Sequence, residues 1–80
     1  MAKHSHGFVE EFDGMVGFGL DRQSDEHTVQ YYLQKFSDDE LMRVILSRMT
    51  DDDLAKLFDV TGEMLSKYLT EPEYHELFLK

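Results

Sequence analysis

Eighty residues, 41% hydrophobic and 12% aromatic, suffice for one small packed domain, are too apolar for a disordered chain and leave no room for a large enclosed active site. Seventeen acidic residues against eight Lys and Arg give a formal charge of −9, which opposes polyanion binding, and with no cysteine a disulfide framework or thiolate metal site is excluded. No apolar run approaches the length of a membrane span, and the opening "MAKHSHGFVEEFDG" lacks the apolar stretch of a signal peptide, so a cytoplasmic protein without membrane contact is expected.

Residues 1–7 read as a flexible tail, and residues 8–80 as a single helical domain. In "FVEEFDGMVGFGL", Phe8, Val9, Phe12, Met15 and Val16 share one helical face, but Gly14, Gly17 and Gly19 each cost roughly 1 kcal/mol in a helix. A short helix over 8–14 followed by an irregular apolar arm is therefore expected, the arm serving as core or as interface. Val29, Tyr32, Leu33 and Phe36 recur at helical spacing behind Ser24, with Asp25 and Glu26 in the first turn, and predict a helix over 25–36. The next, over 38–48, starts from a Ser37 cap boxed by Glu40 and carries Leu41, Val44 and Ile45 inward.

The same capping device recurs at Thr50 with Asp53 and at Thr70 with Glu73, where Pro72 occupies the first turn. Helices over 51–58, 62–69 and 72–79 follow. The runs Asp38-Asp39-Glu40 and Asp51-Asp52-Asp53 are helix starts rather than cation sites, because the glycine and alternating ligand spacing of a calcium loop are missing. The expected fold class is all-α, a small bundle of five or six short helices, with a core of Val29, Leu33, Phe36, Leu41, Val44, Ile45, Leu54, Phe58, Val60, Leu65, Tyr68, Leu77 and Phe78.

Catalytic signatures are not evident. The glycines of "GMVGFG" follow no strand and precede no Lys-Ser/Thr, and neither H-E-x-x-H nor G-x-S-x-G occurs. His27 and His75 are expected at the surface. The amine of Ala2 with His4 is a square-planar Cu²⁺ or Ni²⁺ pattern, outweighed by a plain solvated tail. A non-enzymatic protein with no catalytic residues, no metal and no cofactor is expected.

The stretch "DLAKLFDVTGEMLSKYL", residues 53–69, places a small residue at Ala55, a turn residue at Asp59 and an apolar residue at Val60, with Leu54, Phe58, Leu65 and Tyr68 as anchors. This spacing over about residues 51–70 resembles helix-turn-helix DNA-binding modules, with Asp59 where that family usually has glycine. The resemblance implies a corner at Asp59, a second helix entered through a Thr61 cap, and a contacting surface of Thr61, Gly62, Glu63, Ser66, Lys67 and Thr70, with Arg43, Arg48 and Lys56 as a supporting basic face. A DNA-associated transcriptional regulator is then implied, helped by pairing into a homodimer. Charge speaks against it: residues 37–80 hold eleven Asp or Glu and five Lys or Arg, a net of −6. The alternative keeps the helices and changes the partner, giving an acidic protein-protein interaction module, an adaptor or a DNA-mimicking inhibitor.

Overall fold

The computed structural model of the protein describes residues 6–14 and 16–80. The Ala2 amine, His4 and most of the expected tail, as well as Met15 of the arm, lie outside the described residues. The chain is all-α, with α1 (Gly7–Glu11), α2 (Arg22–Phe36), α3 (Asp39–Arg48), α4 (Asp51–Tyr68) and α5 (Glu71–Glu73), the last running on into a widened π-turn over Tyr74–Phe78. The described residues fall into two compact units, one within residues 6–45 and the other within Leu46–Lys80.

In the first unit α1 packs on α2 through rings. Phe8 and Phe12 stack at 4.9 Å, and both lie 5.6 Å from the imidazole of His27, with Tyr31 5.9 Å from Phe12. Gln34 adds a side-chain acceptor for the Val9 amide at 2.9 Å. His27, Tyr31 and Gln34 recur at i, i+4 and i+7, so they form one face of α2. The stripe expected to turn inward, Val29, Leu33 and Phe36, lies on the opposite face and is exposed. His27, expected at the surface, is half-buried against α1.

The arm after α1 is tied to α2 by polar bonds. The Gly17 amide donates to Thr28 Oγ1 at 3.1 Å, and that hydroxyl donates to the Gly17 carbonyl at 2.9 Å. Gly19 takes φ 101°, a left-handed conformation open to glycine at little cost, and its amide donates to Asp25 at 2.7 Å. Phe18 and Leu20 stay 72% and 65% exposed.

Helix starts follow side-chain chemistry closely. Asp21, rather than Ser24, caps α2 by accepting from the Ser24 amide at 2.8 Å. Ahead of α3, Asp38 accepts from the Leu41 amide at 3.0 Å, whereas the Ser37 hydroxyl donates back to Gln34 and closes α2. A carboxylate in each case takes the role expected of a serine, Asp21 three residues ahead of Ser24 and Asp38 next to Ser37. The boxes at Thr50 with Asp53 and at Thr70 with Glu73 are both present.

Two expectations are overturned. The corner at Asp59 does not exist, because α4 runs unbroken through it and no non-glycine among the described residues has positive φ. Asp59 and Val60 both tolerate a helix, Gly62 in its interior costs only about 1 kcal/mol, and the apolar period continues through Thr61 to Tyr68. The expected core is not enclosed either. Among the described residues no apolar side chain is buried, and only Thr28, 6% exposed, is. Each unit is near the ~40-residue length below which a chain closes a core only with disulfides, metals or a partner.

Candidate interaction surface

The second unit is built around α4. Thr50 opens it with its capping box, Asp51, Asp52 and Asp53 lie in the first turn, and Lys67 lies in the last, each charge complementing the helix dipole. Advancing about 100° per residue, Leu54, Leu57, Phe58, Thr61, Met64, Leu65 and Tyr68 fall within an arc of about 120°. The opposite side carries Asp52, Lys56, Asp59 and Glu63, with Lys67 at its edge toward the arc.

This apolar arc faces solvent. Phe58 is 76% exposed and Tyr68 69%, with Leu54, Leu57 and Met64 each above two-fifths. Isolated exposed apolar side chains are ordinary, but a contiguous helical stripe marks a binding surface. The Thr61 hydroxyl adds no polar cost to the stripe, since it donates to the carbonyls of Leu57 at 3.0 Å and Phe58 at 3.1 Å.

Beside the arc the C-terminal segment forms the far wall of a groove. Thr70 accepts from the Glu73 amide at 3.3 Å while Glu73 accepts from the Thr70 amide at 2.9 Å, setting the direction in which α5 departs. The widened turn that follows closes through Leu79 N–H to the Tyr74 carbonyl at 3.1 Å, and Tyr74 stacks on Phe78 at 5.4 Å. The groove has a volume of about 800 Å³ and is walled by Phe58, Met64, Leu65, Leu69, Tyr74 and Phe78.

Of the six contacting residues expected from the sequence, Thr61, Gly62, Ser66 and Thr70 line this groove. Glu63 lies on the charged side and Lys67 on the flank beside the arc, its ammonium 5.4 Å over the Tyr68 ring. Thr61 is an interior residue of α4 rather than a cap, and Ser66 donates to the Glu63 carbonyl at 3.3 Å. The expected basic residues are spread over two helices: Arg43 and Arg48 on α3, and Lys56 on α4, where it pairs with Asp52 at 3.1 Å. Along α4 the charged stripe mixes both signs and forms no basic ridge.

Sequence reasoning missed the joint role of Leu57, Met64 and Tyr68. Their signal is the unbroken period across Asp59, which a division at that residue splits in two.

Two carboxyls are held below their ordinary values. Glu73 lies below 4.5 because the Thr70 amide, and then its hydroxyl, hydrogen-bond the charged form, and Asp21 lies below 3.8 through the Ser24 amide and hydroxyl. Both serve helix starts. Among the described residues no three His, Asp or Glu group to hold a metal, and no helix is long and apolar enough to cross a membrane. No family model matches this chain, and no curated protein or solved structure does so either.

Proposed function

We propose that this chain is a non-enzymatic, acidic protein-interaction module of the cytoplasm that docks through the apolar face of α4. The observation that carries the reading is the unbroken stripe from Leu54 to Tyr68, exposed at Leu54, Leu57, Phe58, Met64 and Tyr68 with Leu65 half-buried, on a unit too small to enclose it. The stripe is wide enough to take a partner's helix in the helix-in-groove manner. Charge supports a protein partner over a nucleic acid, since the −9 chain repels phosphate and α4 has no basic ridge. The continuous helix also removes the corner on which the resemblance to helix-turn-helix modules rested.

The test is site-directed photo-cross-linking in cells that make the protein, with a benzophenone amino acid at Leu57 on the apolar arc or at Lys56 on the charged side. The reading expects a protease-sensitive adduct from Leu57 and none from Lys56. An adduct removed by nuclease, or no adduct from Leu57, would overturn it.

A further inference from the structure

Resting on that reading, we infer that the first partner of α4 is a second copy of itself, packed antiparallel along the Leu54–Tyr68 stripe. The stripe is a heptad seam, with Leu54, Thr61 and Tyr68 at one core position and Leu57 and Met64 at the other. In an antiparallel pair the two core positions face each other, so Leu54 meets Met64 of the second copy and Leu57 meets Thr61. Thr61 fits such a seam because its hydroxyl is already satisfied by its own helix.

The flanking charges select this direction. Asp53, Val60 and Lys67 occupy one flank, seven residues apart. Antiparallel packing sets Asp53 against Lys67 of the second copy, twice by symmetry, with Val60 meeting its own counterpart at the two-fold axis. Parallel packing sets Asp53 against Phe58 and leaves Lys67 unmatched. Asp53 uses one carboxylate oxygen in its box with Thr50, at 3.1 Å, and Lys67 already leans over Tyr68 toward the seam. Asp52, Lys56, Asp59 and Glu63 stay outside, so the acidic surface that would repel a second copy points away from the contact.

The cysteine-free sequence permits a direct test with single thiols and a short bifunctional maleimide. Val60→Cys, which removes no seam residue, is expected to link to itself. Leu54→Cys should not, because its counterpart lies about ten residues along the axis, roughly 15 Å away, but it should link to Met64→Cys when the two are mixed. Lys67→Glu in the Val60→Cys background should weaken the pair about tenfold in sedimentation while circular dichroism keeps its helical signal. Self-linking of Leu54→Cys, absence of linking at Val60→Cys, or an unchanged affinity with Lys67→Glu would overturn the antiparallel pair. A monomer whose Leu57 probe still captures other proteins would overturn the pair and leave the interaction module standing, whereas loss of every protein adduct would remove both.

Discussion

Thr28 shows how one hydroxyl organises a segment without an enclosed core around it. It donates to the Gly17 carbonyl and accepts from the Gly17 amide, and among the described residues it is the one that is buried. Thr28→Val keeps the shape and removes both bonds, so it should destabilise the first unit by about 1–3 kcal/mol, read by urea unfolding, and raise amide exchange at Gly17. Glu73 acts at the other end of the chain. Because its folded pKa lies below 4.5, its contribution is fully present above that pH and is lost as pH falls through the depressed value. Acidification should therefore loosen the Thr70–Glu73 box, seen as a titrating shift of the Thr70 amide that Glu73→Gln abolishes. Both boxes were readable from the sequence because capping depends on neighbours three residues apart. Asp21 and Asp38 were not: α2 starts three residues ahead of Ser24, and Ser37 beside Asp38 offers two candidates between which backbone geometry decides.

Among the helices, α4 is where local rules conflict most. Spacing at Ala55, Asp59 and Val60 suits a corner, but a corner needs left-handed backbone at Asp59, which costs a non-glycine residue about 1–2 kcal/mol. Continuing the helix costs less. Asp59→Ala should then stabilise the protein by about 0.5 kcal/mol through helix propensity, where a corner would lose more than that. Gly62→Ala should add about 0.5–1 kcal/mol in thermal unfolding, since a methyl there meets open space and the backbone is already helical. The all-α class and the places of α1, α2 and α3 were readable from periodicity, whereas the continuity of α4 turns on comparing two nearly balanced local energies. On α2, α1 covers the face bearing His27, Tyr31 and Gln34 rather than the apolar stripe bearing Val29 and Leu33. No period distinguishes which face a neighbouring segment will choose.

For the whole chain, the apolar content that predicts a core is real, but the described residues do not enclose it. Phe58, Tyr68, Phe18 and Leu33 are each more than half exposed. Two units near the lower size limit for independent folding, without disulfides, place that apolar surface where a partner can complete it. The functional reading therefore depends on α4 being one helix, since an unbroken α4 presents a docking stripe and a corner would present a DNA-reading pair. Backbone NMR tests this most directly, through ¹³Cα shifts and sequential amide contacts across Phe58–Gly62. Uninterrupted helical shifts from Asp51 to Tyr68 are the predicted result. Loss of helical shifts at Asp59 and Val60, with a fresh helix start at Thr61, would contradict the account and return the chain to the helix-turn-helix class.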